Sequence, residues 1–151
     1  MRRKDKEITD RAEIDAILHR APICRLALAD GNVPYVVPLN FGYDGKCLYI
    51  HSAPEGRKIE IIRKNNYVCF QADIDVKLVD TDSAHACSTK YESVIGYGRA
   101  SIITDDASKK SALDILMRKY SDLQHEYPQN LLDGMVIIKI EIESMTGKRS
   151  S

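Results

Sequence analysis

Charge of one sign is missing from this chain: of 151 residues, 22 are Lys or Arg and 22 are Asp or Glu, so the formal net charge is zero. A balanced surface offers no long-range field to hold nucleic acid or an anionic membrane, so neither is an expected partner and a small molecule is. Long apolar runs are missing too. The longest, such as Met135 to Ile138, fall far short of the ~20 residues that a membrane helix needs. The opening Met1-Arg2-Arg3-Lys4-Asp5-Lys6 lacks the apolar stretch of a secretory signal, and a cytoplasmic location is the expectation. Closely spaced cysteines are a third absence. Cys24, Cys47, Cys69 and Cys87 form no C-x-x-C pair, which argues against a disulfide framework or a structural zinc site. The first three lie in strand-like runs, where a free thiol behaves as a small buried hydrophobe. Cys87 stands near His85 in a polar stretch with too few ligands around it to complete a metal site. No repeat, low-complexity tract or linker interrupts the chain, so one domain over 1–151 is expected.

What is present is mostly strand. Asp10 and Glu13 have capping-box spacing ahead of an apolar stripe at Ile14, Ile17 and Leu18, which predicts a short amphipathic helix. From Cys24 the period falls to two, with Cys24, Leu26 and Leu28 on one side, and Asp30-Gly31-Asn32 turns the hairpin. Val33 to Tyr43 continues extended, and Pro34 and Pro38, which donate no ladder hydrogen bond, belong at an edge, a bulge or a ligand-facing position. Asp44-Gly45 leads into a strand over Lys46 to Ser52, followed by a helix over roughly Ala53 to Lys64. Tyr67 to Asp75 reads as a strand with Val76 to Val79 as its partner, Asp80 to Lys90 as a loop, and Tyr91 to Thr104 as a long strand bent or closely approached at Gly96 and Gly98. Leu113, Leu116, Met117 and Tyr120 mark a further helix after Asp105-Asp106, and Ile138, Ile140 and Ile142 alternate with charges in a last strand. Roughly six strands with few helices imply a mainly β protein, an antiparallel β-barrel with flanking helices.

Two stretches carry chemistry. His51-Ser52-Ala53-Pro54-Glu55-Gly56-Arg57-Lys58 joins a strand end to a helix start, where unpaired N–H groups and two cations suit a phosphate. The same residues read equally as a Ser52/Glu55 capping box with Arg57 and Lys58 on a solvated helix face. Tyr35-Val36-Val37-Pro38-Leu39-Asn40-Phe41 is an apolar strand holding one amide, which suits a flat ring with a polar edge and suits an ordinary barrel strand as well.

In order and spacing, Val36-Val37-Pro38-Leu39-Asn40-Phe41-Gly42-Tyr43, Leu48-Tyr49-Ile50-His51-Ser52, Glu55-Gly56-Arg57-Lys58 and Ser93-Val94-Ile95-Gly96-Tyr97-Gly98-Arg99-Ala100 resemble the 5-nitroimidazole resistance branch of the pyridoxamine 5′-phosphate oxidase-like flavin-binding proteins. The opening Met1 to Ile8 and the closing Met145-Thr146-Gly147-Lys148 resemble it too. The resemblance implies a split β-barrel homodimer with two sites for flavin mononucleotide (FMN), each across the subunit interface. It implies that Pro38, Leu39 and Asn40 line the ring, that His51 and Ser52 lie beside the ring and ribityl chain, and that Arg57 and Lys58 hold the phosphate. Ser93 and Val94 would come from the other subunit. Pro54 departs from the pattern by removing one N–H from the phosphate turn. The expected activity is an FMN-dependent oxidoreductase reducing a small flat acceptor such as a 5-nitroimidazole, with His51 delivering a proton, since an imidazole gives and accepts protons near neutral pH. The alternative is a flavin-binding carrier or sensor without turnover.

Overall fold

The computed structural model describes residues 3–80 and 88–150. A 3₁₀ turn at Lys4–Lys6 leads into β1 (Glu7–Ile8) and α1 (Arg11–Arg20). The Asp10 carboxylate accepts from the Ala12 N–H at 2.9 Å and so caps α1, whose stripe of Ile14, Ile17 and Leu18 is buried. Glu13 pairs with Arg149 of the last strand, tying the helix to the far end of the chain.

β2 (Cys24–Asp30) and β3 (Val33–Leu39) form the expected hairpin, and Gly31 at φ +59 supplies the left-handed turn residue. β4 (Gly42–Tyr43), β5 (Cys47–Ser52), α2 (Arg57–Lys64), β6 (Tyr67–Val79) and β7 (Ser88–Ile103) follow, then α3 (Asp106–Met117), α4 (Gln129–Asp133) and β8 (Val136–Ser150). All pairings are antiparallel in the order β3-β2-β6-β7-β8-β5-β4, with β1 added on β8. β3 stands at the sheet edge, which is where Pro34 and Pro38 were expected. The sheet curls round its core without a β3–β4 ladder to close it, as an open, split barrel.

The inner face carries Leu26, Leu28, Leu48, Ile50, Val68, Phe70, Val94 and Ile140, sealed by α1 and by Ile59, Ile61 and Ile62 of α2. Gly96 and Gly98 point into this core: a Cβ on Gly96 would lie 2.2 Å from Cζ of Phe70, and one on Gly98 2.2 Å from the Glu141 carbonyl oxygen. Both are glycines because nothing larger fits. On the other side of the sheet Ala112 and Leu113 of α3 and Leu132 of α4 pack on Ile137 and Tyr49.

Several boundaries differ from the sequence expectation. There are eight strands among the described residues rather than six, because β1 and β4, of two residues each, are too short to show a period. β6 runs unbroken through Val79, with a bulge between Ile74 and Lys77 where Asp75 adopts φ +55. Ser88 to Lys90, expected in a loop, belong to β7 and pair with Lys77 to Val79; this hairpin extension is largely solvated, so no apolar alternation marks it. α2 starts at Arg57, four residues later than expected. Cys24 and Cys47 are buried and Cys69 half-buried, all as free thiols, while His85 and Cys87 lie outside the described residues. No helix among the described residues is long and apolar enough to cross a membrane.

Candidate functional site

The late start of α2 changes the meaning of its first turn. Gly56, not Ser52, is the N-cap; it sits at φ +118, and no side chain accepts from the helix amides. Ser52 Oγ donates instead to the Ala53 carbonyl at 2.9 Å, so the Ser52/Glu55 capping box does not form. Pro54 lies in the bend before Gly56, outside the helix start, and removes none of the helix amides. Arg57 and Lys58 are the first two helical residues, and among the described residues neither is paired with a carboxylate. The Arg57 guanidinium lies 4.8 Å from the ring centre of Tyr35 on β3. An uncapped helix start with two unneutralised cations fits a phosphate group, since amide N–H groups, helix dipole and side-chain charge all favour an anion there.

The second stretch lies nearby. Tyr35 is on β3, and β3 runs on to Pro38 and Leu39. Alternation separates these two: Leu39 leans on the inner core, while Pro38, paired with Arg25, is exposed on the outer face. Asn40 is exposed in the link to β4. β4 pairs with β5 through Gly42↔Tyr49 and Tyr43↔Leu48; Asn40 lies two residues before this ladder on one strand and His51 two residues beyond it on the other. His51 is exposed and Ser52 buried, at the last two positions of β5. An amide, an imidazole, an apolar strand end and an anion-favouring helix start therefore gather at one end of the β3–β4–β5 region. That set fits a flat heterocycle carrying a phosphate.

Ser93 and Val94 are elsewhere. Ser93 lies on the outer face of β7, 9% exposed, in a groove of about 390 Å³ with Gln71, Asp73, Val76, Tyr91, Ile95 and Lys148. Val94 faces the other way and its side chain is fully buried in the core. β8 measures the separation: His51 pairs with Ile137 and Ser93 with Lys148, eleven residues further on, a contour of roughly 36 Å at ~3.3 Å per residue. His51 and Ser93 of one chain stand far apart along β8.

Three side chains near the site have no role of their own there in the sequence expectation, and Tyr120, expected in the apolar stripe of α3, lies beyond its end at Met117. Tyr35 holds Arg57, Lys119 Nζ sits 3.2 Å over the Phe41 ring and donates to the Leu18 carbonyl at 2.7 Å, and the Tyr120 hydroxyl accepts from the Phe41 N–H at 3.1 Å. Burial lowers the Lys119 ammonium to about 8, against a smaller opposing pull from the Cys24 thiol, which burial itself pushes up to about 12. A cation beside an aromatic is the sequence signal for such contacts, but only the fold brings Lys119 to Phe41.

Known proteins share this fold. The chain is similar to a crystal structure from Bacteroides thetaiotaomicron described as a "putative 5-nitroimidazole antibiotic resistance protein": 38% identical, TM-score 0.85, covering 95% of this chain and 86% of that one. A FAD-binding protein from Mesorhizobium loti is 28% identical with a TM-score of 0.70, over 97% of this chain and 98% of its own. A curated protein of unassigned function from Rhizobium meliloti (strain 1021) is 33% identical over 64 residues, and that match spans 42% of its length and 42% of this chain. The pyridoxamine 5′-phosphate oxidase family model matches residues 10–149. A split barrel matched along nearly its whole length in both sequence and structure leaves one assignment: the chain belongs to the pyridoxamine 5′-phosphate oxidase family, in the branch of the Bacteroides protein.

Proposed function

We propose that this protein is an FMN-dependent oxidoreductase that reduces a small, flat acceptor such as a 5-nitroimidazole, and that it works as a homodimer. The observation that carries the reading is the uncapped, doubly cationic start of α2, with Arg57 over Tyr35 of the strand that leads to Asn40. Arg57 and Lys58 hold the phosphate, Pro38 and Asn40 border the ring, Leu39 between them does so through its backbone because its side chain leans on the core, and Ser52 closes the ribityl side. Ser93 reaches the same cofactor from the second subunit, since within one chain it is too far along β8 from His51. Val94, whose side chain is in the core, would meet the cofactor through its backbone. When bound, the flavin supplies the electrons. The protein orients it, and a nitrogen of the His51 imidazole delivers a proton towards the acceptor.

Titration of FMN and riboflavin separates phosphate binding from ring binding. FMN is expected to bind much more tightly, and Arg57→Ala/Lys58→Ala to erase most of that preference: two charge-assisted contacts of ~1.5–3 kcal/mol each correspond to roughly 10²-fold or more. A double variant that keeps the parent's FMN-to-riboflavin ratio would sink the phosphate assignment.

Turnover is tested apart from binding. Stopped-flow mixing of dithionite-reduced, FMN-loaded protein with a nitroimidazole should show acceptor reduction, slowed ~10²–10⁴-fold in His51→Gln with FMN affinity nearly unchanged. Equal rates in the two proteins would remove His51 from the chemistry, and no reduction by the parent would leave a flavin carrier.

A further inference from the structure

The β3–β4 link is two residues long, Asn40 and Phe41, yet it connects the two ends of the strand order, β3 and β4. Its course is set by a contact from outside the sheet. Tyr120, in the turn that ends α3, accepts from the Phe41 N–H at 3.1 Å and donates to the Pro22 carbonyl at 2.7 Å. One hydroxyl thereby ties the link to the segment between α1 and β2. Lys119 reinforces the arrangement by capping the Leu18 carbonyl of α1 while lying on the Phe41 ring. The neighbouring Gly42 meets the helix directly, since a Cβ there would stand 2.7 Å from Cα of Leu116. Asn40 is left between the last residue of the β3 ladder and a Phe41 whose amide is fixed by Tyr120, so its freedom is set at both ends.

We propose that Tyr120 is a positioning residue for the cofactor: its hydroxyl holds Phe41 so that Asn40 stands beside His51 at the ring edge. This rests on the reading of Asn40 as a ring neighbour, and it adds a side chain some eighty positions away in the sequence that touches no ligand. Tyr120 acts through the backbone of the link, so its loss shifts the ring's surroundings and leaves the phosphate turn of α2 as it was.

The test is a double-mutant cycle of Tyr120→Phe and Asn40→Ala, read by flavin affinity and by the visible absorption bands of the bound flavin. Tyr120→Phe removes one oxygen from a half-exposed side chain, and thermal melting of the flavin-free protein confirms folding. The expected result is a loss of about threefold to tenfold in affinity for FMN and riboflavin alike, one neutral hydrogen bond's worth, with the FMN-to-riboflavin ratio unchanged. The bands should move in the same direction as in Asn40→Ala. In the Asn40→Ala background Tyr120→Phe should have no further effect, because the group it positions is gone. A purely structural tyrosine would weaken binding by the same factor in both backgrounds, and that result overturns the proposal, as does a silent Tyr120→Phe beside an effective Asn40→Ala. A silent Asn40→Ala overturns the ring assignment itself and this inference with it.

Discussion

Lys119 carries its ammonium into a half-buried place between α1 and the β3–β4 link. Two contacts favour the charged form, the Leu18 carbonyl at 2.7 Å and the Phe41 ring at 3.2 Å. Burial outweighs them and draws its pKa down to about 8. The titratable groups nearest it are the Cys24 thiol of β2 and the adjoining Tyr120 hydroxyl, both pushed up by burial and both neutral at pH 7; among the described residues no carboxylate pairs with it. The unfolded chain keeps this proton to ~10.4, so between about 8 and ~10.4 the unfolded state binds more protons and the fold gains stability as pH rises. Below about 8 the ammonium is charged in both states and the cost of burying it is constant. Lys119→Met keeps the stem and removes the charge. Urea unfolding of parent and variant at pH 7, 8, 9 and 10 should therefore show the parent gaining on the variant above pH 8, with the other titrations cancelling in the difference. Parallel curves would show that Lys119 keeps an ordinary ammonium.

Elements reveal how far residues can be read without coordinates. Apolar periodicity finds the middle of an element, so α1, α3, the β2–β3 hairpin and the alternating start of β8 were legible from Ile14, Leu113, Gly31 and Ile138. It does not find a helix start. Ser52 and Glu55 have the spacing of a capping box, but the chain turns at Gly56 and the helix opens at Arg57, so its first amides have no side-chain cap. The site was legible as residue types, Asn40, His51, Arg57 and Lys58, because cations, amide and imidazole announce their chemistry. Their faces were legible only in part. Period-two alternation already forbids Ser93 and Val94 from sharing a face, and the structure sends one outward and the other into the core. Tyr35, Lys119 and Tyr120 were hidden because their roles come from contacts between elements that no local pattern encodes.

At the scale of the whole molecule, the outer sheet face carries exposed apolar side chains. Pairing sets Val36, Ala27, Cys69 and Tyr97 in one row across β3, β2, β6 and β7, with Pro38, Arg25, Gln71 and Ile95 in the next. Val36 is 63% exposed, Ile95 44% and Tyr97 42%, and Tyr97 stacks on Tyr67 with ring centres 6.0 Å apart. Exposed apolar side chains at Val36, Ile95 and Tyr97, interrupted by Arg25 and Gln71, are what the proposed twofold partner would cover with its own copy of this face. Ser93 lies on the same face, two positions from Ile95, where the proposed second chain would bring its cofactor. Dimerisation and flavin binding should therefore fail together. Ile95→Lys puts a charge on an already exposed position, so the fold should survive while the paired face does not. Sedimentation of the parent should give two chains per particle and of Ile95→Lys mainly one, with FMN bound at least about tenfold more weakly by the single chain, a loss of ~1.4 kcal/mol or more. A monomeric variant that binds FMN as tightly as the parent would show that one subunit makes the whole site, and Ser93 would then have no part in it.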